Sequence, residues 1–488
     1  MIIKDSPKIT NWINGRLAEP VMDSWLHKYN PHSGQLSCRV ADSSGLDVEA
    51  AVAAAKNSFS LWSEVTPVNR GKVLFEMVRL MKLEAANLAD SIATETGKPP
   101  GDANGEVGAA IMQGEYFAGE GMRLYGKSLT SAMPGKYSHT IRQPHGVVGL
   151  IVPANTPIAN IAWKIFPALI CGNTVVLKAS EDSPSIANVV AEIAQRAGLP
   201  DGTLNIIQGG KSAGEALVEH KSVSLISFTG STSVGRSIGR VAGNRLARVS
   251  LELGGKNALV VCDDADIEQA VHWSSLSAFS NAGQRCAAAS RIIVFENIYD
   301  EFVDKLVAKA KSLTLGIADG CDLGPVVNKR QYTNILRMIK NAKESGGIIL
   351  CGGESPDDPE LQNGYYIMPT VITELRQDCE LNKTEIFGPV ATVQKVVNLT
   401  EALTVANDSE FGLTSAIHTK DVDRAMWFAQ RVRAGLVNVN IGTFGSEPHM
   451  PFGGLGSSGN GTREPGVEAL DVYSELKNIS FLTRDNLI

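Results

Sequence analysis

Cys286 lies in the segment G-Q-R-C-A-A-A-S, where small residues surround one cysteine and an arginine directly precedes it. A partly exposed thiolate is a strong nucleophile, whereas a buried thiol in a core is an inert small hydrophobe. The segment by itself is compatible with either role. The choice depends on which other reactive side chains the fold brings to Cys286.

Two other residues have side chains suited to work beside a nucleophile. Glu252 lies in S-L-E-L-G-G-K, between two leucines, which predicts either a buried ion pair or a base with a raised pKa. Asn155 lies in V-P-A-N-T-P, where two prolines fix the backbone, so its side chain is either a turn residue or a neutral hydrogen-bond donor. A nucleophile, a base and a donor are the parts that covalent catalysis needs.

A further group of residues has types that suit a dinucleotide. Lys178 and Glu181, in K-A-S-E, are either solvated turn residues or ligands of the ribose hydroxyls, and a carboxylate there would repel a 2′-phosphate. Gly230 permits a tight turn before a helix, and Ser231 follows it, at a helix N-terminus whose amides could hold a pyrophosphate. Because F-T-G-S-T-S-V-G is not a G-x-G-x-x-G motif, this turn alone is also compatible with a purely structural role.

The elements around these residues follow an alternating pattern. From residue 146 onward, β-branched runs (G-V-V-G-L-I-V, N-T-V-V-L-K-A-S, T-L-N-I-I-Q-G-G, S-L-I-S-F-T-G-S and R-V-S-L-E-L) alternate with segments of helical period. This predicts an α/β fold in which helices cover both faces of a parallel sheet. Ligands of such sheets bind at the carboxyl ends of the strands, where Pro153, Lys178 and Gly230 stand.

The rest of the chain predicts additional units. The first hundred residues have mainly helical periodicity and could cover one face of the sheet. A second α/β block begins near residue 256, with a strand, a turn and a helix. The last twenty residues predict a strand with no place in either block.

Composition and charge narrow the classes of partner. A net charge of −7 gives no reason to expect nucleic acid or anionic lipid, so we expect a small-molecule ligand. The most apolar stretch, residues 146–177, is broken by prolines and polar residues, and no membrane span is expected. The N-terminus has no signal-peptide pattern, which predicts a cytoplasmic protein. Seven scattered cysteines without a C-x-x-C pair predict reduced thiols and no metal site.

The order and spacing of the motifs resemble those of the aldehyde dehydrogenase superfamily over nearly the whole chain. The resemblance is carried by Asn155 with Pro157, K-A-S-E at 178–181, F-T-G-S-T at 228–232, L-E-L-G-G-K at 251–256, G-Q-R-C at 283–286, E-I-F-G-P at 385–389 and P-F-G-G at 451–454. Each motif alone is weak, but the whole series in one order is specific.

The resemblance implies roles for the three reactive residues. Cys286 would attack an aldehyde as a thiolate, and the side-chain amide of Asn155 with the backbone N–H of Cys286 would hold the resulting oxyanion. Glu252 would then activate water to hydrolyse the thioester. The expected activity is NAD(P)-dependent oxidation of an aldehyde to a carboxylic acid.

It also implies a cofactor site. Lys178 and Glu181 would bind the adenine ribose, Gly230 and Ser231 would lie near the pyrophosphate, and Glu385 with Phe387 would position the nicotinamide ribose and ring, with Pro153 also at the cofactor. Glu181 favours NAD over NADP by charge repulsion, and NADP remains an alternative.

The family architecture implies a Rossmann-like cofactor domain (residues 1–122 and 145–255), an α/β catalytic domain (256–455) and a small β oligomerisation element (123–144 and 470–488). The oligomerisation element gives the terminal strand a place. We expect a homodimer or a homotetramer.

Departures from the family pattern bear on the substrate. The family usually has P-W-N-F-P where this chain has P-A-N-T-P, so Ala154 and Thr156 replace two aromatic rings. This predicts a wider or more polar tunnel and a bulky or polar aldehyde or semialdehyde. Relatives specific for succinate semialdehyde often carry an arginine where this chain has Trp163, which weakens that assignment. Phe452 is expected to line the pocket, and His449 is either a pocket residue or an exposed loop residue.

Two other functions are compatible with the same fold. In a CoA-acylating aldehyde dehydrogenase, the thiol of CoA replaces water, but members of that type generally lack the glutamate that this chain has at 252. A non-catalytic binding or structural member of the fold would not need the complete set of matched catalytic residues.

Overall fold

The computed structural model describes residues 6–483, so residues 1–5 and 484–488, which fall within predicted domain ranges, lie outside the described part. It contains two seven-stranded sheets and two three-stranded sheets, with helices packed on the larger sheets. The predicted α/β class is confirmed.

Numbered along the chain, the strands are β1 (Lys8–Ile9), β2 (Asn11–Ile13), β3 (Arg16–Ala18), β4 (Trp25–Tyr29), β5 (Leu36–Ala41), β6 (Ser128–Leu129), β7 (Lys136–Pro144), β8 (Val147–Ile151), β9 (Thr174–Lys178), β10 (Leu204–Ile207), β11 (Val223–Thr229), β12 (Arg248–Glu252), β13 (Asn257–Val261), β14 (Ala289–Phe295), β15 (Ile348–Cys351), β16 (Thr370–Thr373), β17 (Val390–Val396), β18 (Thr414–His418), β19 (Leu436–Val439) and β20 (Ser474–Leu482).

The α-helices are α1 (Gly45–Ser63), α2 (Pro67–Leu83), α3 (Ala85–Thr96), α4 (Pro100–Glu120), α5 (Pro157–Ile170), α6 (Ser185–Arg196), α7 (Lys211–Glu219), α8 (Thr232–Asn244), α9 (Ile267–Phe279), α10 (Tyr299–Ser312), α11 (Lys329–Glu344), α12 (Glu380–Lys383), α13 (Leu399–Asn407), α14 (Val422–Ala429) and α15 (Ala469–Val472).

The first large sheet has the order β12-β11-β8-β9-β10-β2-β3, and β8 to β12 are parallel. All five strands predicted from residue 146 onward are present. Residues along β8 alternate between two cores: Val148 and Leu150 pack with α2 to α6, whereas Val147 and Ile151 pack with α1, α7 and α8. The chain order reverses at β8, which places the binding crevice at the carboxyl ends of β8 and β11.

The N-terminal part differs from the sequence-based expectation. Five short strands precede the first helix, and β2 joins the first large sheet by pairing Trp12 with Ile206 of β10. β1 to β3 have only two or three residues each and carry little local signal, and β2 is stabilised by its pairing with the distant β10. The helices that follow cover both faces of the sheet, with α1 on one face and α2 to α4 on the other, where the sequence predicted cover for one face.

The second large sheet has the order β15-β16-β17-β14-β13-β18-β19 and is parallel except for β15. The predicted strand, turn and helix after residue 256 are β13 and α9. Cys286 therefore lies on the connection from α9 to β14, in the second block, while Asn155 and Glu252 belong to the first.

A small sheet joins distant parts of the chain. β7 pairs antiparallel with β6 and with β20 over the whole of β20, from Ser474 opposite Pro144 to Leu482 opposite Lys136. The predicted domain boundaries themselves stay a prediction. Among residues 6–483, no helix combines the length and apolarity that a membrane crossing requires.

Candidate active site

The loop that carries Cys286 has an unusual backbone. Asn281 and Ala282 both have φ values of 53°, in the left-handed region that residues with a Cβ rarely adopt. Gly283 follows with φ of 67°, and a Cβ there would lie 2.0 Å from the carbonyl oxygen of Gly388. The loop is thus held in a strained conformation against the segment that follows α12, which is a feature found at functional sites.

The thiol of Cys286 is half-buried. Burial raises its pKa to about 12, and the nearby carboxylates of Glu385 and Glu252 act in the same direction. The thiol form therefore dominates near neutral pH in the protein without ligands. A cation bound beside the sulfur would lower this pKa, because opposite charge favours the thiolate.

Asn155 connects the first block to the Cys286 loop. Its Nδ2 donates a hydrogen bond to the carbonyl of Gln284 at 2.9 Å, and its Oδ1 accepts from Asn160 Nδ2 at 3.3 Å. Asn281 Nδ2 donates to the backbone carbonyl of Asn155 at 3.1 Å. Since an amide nitrogen carries two N–H groups, the second one of Asn155 remains for a ligand.

A buried ion pair holds the loop that carries Asn155. Lys98 and Glu106 are joined at 2.6 Å, and both side chains are almost fully buried. Lys98 Nζ also donates to the carbonyl of Asn155 at 2.8 Å, and Glu106 accepts the backbone N–H of Ile158 at 2.9 Å, in the first turn of α5. A carboxylate at a helix N-terminus is favoured by the helix dipole. No motif identifies this pair; the available signal is that Glu106 falls on the buried face of α4.

Glu252 ends β12 with a buried side chain that is only 4% exposed as a residue. Neither carboxylate oxygen has a hydrogen-bond partner among the described residues. Burial raises its pKa well above the usual value; Glu464 adds to this, while Lys164 and Arg463 oppose it. Of the two alternatives from the sequence, the structure has the unpaired acid with a raised pKa.

Lys164, one of the two cations near Glu252, is already paired with another acid. Lys164 Nζ contacts Glu464 Oε2 at 2.7 Å and donates to Ser227 Oγ at 2.6 Å, and the Tyr473 hydroxyl donates to Glu464 at 2.9 Å. Both members of the ion pair are fully buried. Lys164 could have been noticed in the sequence, because it is a lysine inside the apolar run A-W-K-I-F of α5. No sequence pattern indicates Glu464, because its position depends on a distant loop.

The two glycines after Glu252 are required by close contacts. A Cβ at 254 would lie 2.1 Å from Glu385 Oε2, and a Cβ at 255 would lie 2.6 Å from the carbonyl oxygen of Cys286. The backbone N–H of Gly255 donates to Glu385 Oε1 at 3.2 Å. Burial raises the pKa of Glu385 to about 7, against the effect of this bond and of Lys256.

Two cavities of about 360 Å³ each meet at Cys286. One opens toward the carboxyl end of the first sheet, and we call it the sheet-side cavity; the other is bordered by α4 and the loop around 444–448, and we call it the helix-side cavity. The residues that line both are Asn155, Thr156, Ala159, Trp163, Cys286 and Phe452. The nucleophile and the amide donor therefore lie where two ligands would meet.

The sheet-side cavity has the features of a dinucleotide site. Of the predicted cofactor residues, it is lined by Pro153, Gly230, Ser231, Glu385 and Phe387, and Glu252 lines it too. Helix α8 begins after Ser231 without a side-chain cap, so the amides of its first turn are available to phosphate oxygens. These residues fit an NAD(P) molecule.

Lys178 and Glu181 lie outside this cavity. They pair with each other at 3.1 Å, and Glu181 borders a separate cavity of about 280 Å³ together with Lys329 and Arg330. Burial is the largest single effect and acts to raise the pKa of Glu181, but the charge of Lys178, hydrogen bonds from Lys178 and the backbone, and the charge of Arg330 together lower it. Glu181 is thus an ionised carboxylate at neutral pH.

The predicted substrate residues divide into two groups. Thr156, Trp163 and Phe452 line both cavities, and the rings of Trp163 and Phe452 pack edge to face with centroids 5.3 Å apart. His449 lines neither cavity; its side chain is 58% exposed and lies 3.9 Å from the Glu447 carboxylate. The structure places His449 where the exposed-loop alternative expects it.

A cysteine, an unpaired buried carboxylate and a side-chain amide beside a cavity that fits a dinucleotide are the arrangement expected of a cysteine-dependent oxidoreductase. The sequence profile of the aldehyde dehydrogenase family matches residues 19–479. The α-ketoglutaric semialdehyde dehydrogenase of Bacillus subtilis (strain 168) is 37% identical over 98% of this chain and 99% of its own length.

Solved structures agree with this match. PnpE from Pseudomonas sp. WBC-3, solved in complex with nicotinamide adenine dinucleotide, is 37% identical, with 98% of each chain covered and a TM-score of 0.95. Betaine aldehyde dehydrogenase from Staphylococcus aureus, solved with NAD+, is 33% identical, with 100% of this chain and 97% of that chain covered and a TM-score of 0.95. The chain belongs to the aldehyde dehydrogenase family. It is an NAD(P)-dependent oxidoreductase that acts on an aldehyde.

Proposed function

We propose that this aldehyde dehydrogenase oxidises a bulky or polar aldehyde or semialdehyde to the free carboxylic acid, with NAD preferred over NADP. The observation that carries the proposal is that Cys286 and Asn155 line both cavities where these meet, while Glu252 lines the sheet-side cavity with them. One cavity can hold the cofactor while the other holds the aldehyde chain.

Cys286 is the nucleophile in this proposal. Its sulfur attacks the aldehyde carbon, and the carbonyl oxygen becomes an oxyanion held by Asn155 Nδ2 and the backbone N–H of Cys286. A donor of this kind contributes roughly 2.7–4 kcal/mol to the stability of such a transition state. The contacts of Asn155 with Gln284 and Asn160 fix the amide before the substrate arrives, so little reorganisation is needed.

NAD, when bound in the sheet-side cavity, supplies the acceptor for the hydride that leaves the substrate carbon. Ser231 and the first turn of α8 would hold its phosphates, while Glu385 and Phe387 would hold the nicotinamide ribose and ring. Lys178 and Glu181, the charge pair beyond this cavity, would bind the adenine ribose, where the carboxylate of Glu181 disfavours a 2′-phosphate.

Glu252 is the base for hydrolysis of the acyl group on Cys286. An unpartnered carboxylate with a raised pKa can take a proton from water at a pH near neutral, which an ordinary exposed carboxylate does poorly. This role favours water over CoA as the acceptor. The Lys164–Glu464 pair lies close enough to influence the charge on Glu252.

The substrate assignment rests on the walls of the cavities. Thr156 lines both cavities where an aromatic ring would narrow the passage, and its hydroxyl already accepts from Asn160 Nδ2 at 2.8 Å, whereas Ala154 is buried and lines neither cavity. The similarity to the α-ketoglutaric semialdehyde dehydrogenase of B. subtilis supports a semialdehyde.

A homodimer or homotetramer is proposed from the small sheet. Apolar side chains of β7 and β20 are exposed on it, among them Tyr137, Leu476, Phe481 and Leu482. Burying such a surface against a second copy would be favourable. Sedimentation analysis of the wild type and of Phe481→Glu tests this, with a monomeric wild type contradicting it.

A cytoplasmic location is proposed as well. Cell fractionation tests it, and we expect the protein in the soluble cytosolic fraction.

The test of the proposed function is a screen of semialdehydes, sugar-derived aldehydes, aromatic aldehydes and short alkyl aldehydes, with NADH and NADPH formation followed in parallel. We expect NADH with free acid as product, and a loss of about 10⁴-fold or more in Cys286→Ser with NAD binding retained. Acyl-CoA as the product when CoA is added, or a preference for short alkyl aldehydes, would contradict the proposal.

A further inference from the structure

Arg285 directly precedes the nucleophile and lines the helix-side cavity with it. Within residues 6–483 its guanidinium forms no ion pair and no hydrogen bond, and its Nε is buried without a partner. The guanidinium lies over the ring of Phe444 at 4.9 Å from the centroid, a cation–π contact that holds its plane in position.

Two buried arginines of the protein differ from Arg285 in their hydrogen bonds. Arg70 donates to backbone carbonyls of Ile170, Ser63 and Val65, and Arg291 donates to those of Lys256, Val405 and Ala406. Their donors are occupied by the protein itself. Arg285 instead contacts an aromatic ring, and its two terminal nitrogens have no acceptor among residues 6–483, so these two atoms remain for a ligand.

None of the other charged residues of the helix-side cavity forms an ion pair with Arg285. Lys98 and Glu106 are paired with each other. Asp102 also lines the cavity and has one buried oxygen without a partner, but it makes no ion pair with Arg285. A half-buried guanidinium without a bonded acid is stabilised when a ligand supplies the opposite charge.

We propose that Arg285 binds a carboxylate of the aldehyde substrate, so that the substrate class is an aldehyde with a carboxylate at the other end of a short chain. The inference rests on the proposed function and specifies its substrate. A planar guanidinium binds a carboxylate through two parallel hydrogen bonds, which lysine does not reproduce. Because Arg285 and Cys286 are adjacent, the carboxylate would direct the aldehyde carbon toward the sulfur.

The first test compares matched substrates. Succinate semialdehyde and glutarate semialdehyde are each paired with the alkyl aldehyde of the same length, butanal and pentanal. We expect the wild type to prefer the carboxylated member, and Arg285→Met to lower kcat/KM for it by about 10- to 100-fold while the alkyl aldehyde changes by less than about threefold. Arg285→Lys should restore only part of the loss. A wild type without the preference, or equal losses for both members of a pair, would overturn the proposal.

Arg431→Met is the matched control. Arg431 also stacks on an aromatic ring, Trp427 at 4.8 Å, but it is exposed and lines neither cavity. We expect kcat/KM of Arg431→Met to equal that of the wild type for both members of each substrate pair. NAD binding and the midpoint of thermal unfolding should be the same in Arg285→Met and wild type, which separates loss of the anchor from loss of the fold.

The second test does not depend on turnover. Iodoacetate and iodoacetamide alkylate thiols and differ in one carboxylate, and the Cys286 peptide can be followed by mass spectrometry. We expect the rate ratio of iodoacetate to iodoacetamide at Cys286 to fall about tenfold in Arg285→Met. Equal slowing by both reagents would mean that Arg285 acts on the thiolate and would overturn the proposal. If this ratio falls but no aldehyde is oxidised, the proposed function fails and the anion site remains.

Discussion

The two cavities that meet at Cys286 are built from different kinds of residues. The sheet-side cavity is lined by strand-end loops and by E-I-F-G-P residues, including Gly230, Ser231 and Glu385. The helix-side cavity is lined by α4 and by the loop that carries Phe444, which no recognised motif covers. If the sheet-side cavity holds the cofactor and the helix-side cavity holds the aldehyde, as proposed, the cofactor is bound mainly by strand-end loops, whereas the aldehyde is selected by side chains of a helix and a loop.

Each cavity is also lined by a buried glutamate, and the two differ in whether their carboxylates have partners. Glu106, on the helix side, is paired with Lys98 and bonded to the first turn of α5. Glu252, on the sheet side, has no partner for either oxygen among the described residues. A fully paired acid stabilises structure, while an unpaired acid at low dielectric is available to accept a proton.

Of the substitutions that compare the two cavities, Glu252→Gln is expected to have the largest effect on turnover. It removes the base, so the steady-state rate should fall by about 10²- to 10⁴-fold, while the first turnover of NADH persists as a burst. In the wild type the steady-state rate should rise with pH, because Glu252 becomes ionised only as the pH passes its raised pKa. Stopped-flow measurement of NADH from pH 5 to 9 checks both points.

Hydroxylamine provides the control for this variant. As a strong nucleophile it does not need the base, so it should restore turnover in Glu252→Gln. If Glu252→Gln loses both the NADH burst and steady-state turnover, Glu252 acts before hydrolysis of the acyl group. The contrast between Glu106 as a structural acid and Glu252 as the hydrolytic base would then be wrong.

Lys98→Met tests the paired acid. Removing one member of a buried ion pair leaves an uncompensated charge, and we expect a loss of about 3–5 kcal/mol in the free energy of unfolding. Lys82→Met is the matched control, because Lys82 pairs with Glu115 of the same α4 at the surface, where a pair contributes about 0–1 kcal/mol. Urea unfolding gives both values. Equal values would show that the Lys98–Glu106 pair does not stabilise the Asn155 loop.

Asn155→Ala acts at the junction itself. Without the side-chain donor we expect the burst rate constant to fall by about 10²- to 10³-fold. The dissociation constant of NAD should stay near the wild-type value, since the change does not affect the phosphate contacts. A burst rate within a factor of about five of wild type would assign the oxyanion to another donor.

Glu181→Gln is expected to have the smallest effect, confined to the cofactor. Removing the carboxylate should lower the preference for NAD over NADP by about tenfold, as measured by the ratio of the two kcat/KM values. Glu192→Gln, an exposed acid on α6, should leave the ratio unchanged. An unchanged ratio in Glu181→Gln would assign the selection to other residues, such as Lys329 and Arg330 in the adjacent cavity.

Most of the first sheet was predictable because its strands are apolar runs of β-branched residues bounded by turns. The five N-terminal strands were not, since a strand such as Asn11–Ile13 is stabilised by pairing with β10, far along the chain. Sequence spacing likewise cannot show whether a loop residue such as His449 turns inward or outward.

The amino-acid sequence sets which residue types are available: a cysteine directly after an arginine, an acid between leucines, an asparagine between prolines, and the glycines that permit close contact. Tertiary structure decided their states. Among the described residues, Glu252 has no partner because Lys164 forms its ion pair with Glu464. Asn155 is held by its hydrogen bond to Gln284, and within the same part of the chain Arg285 contacts the ring of Phe444 and no acid. Pairing and burial depend on residues hundreds of positions apart, and local spacing carries no information about those contacts.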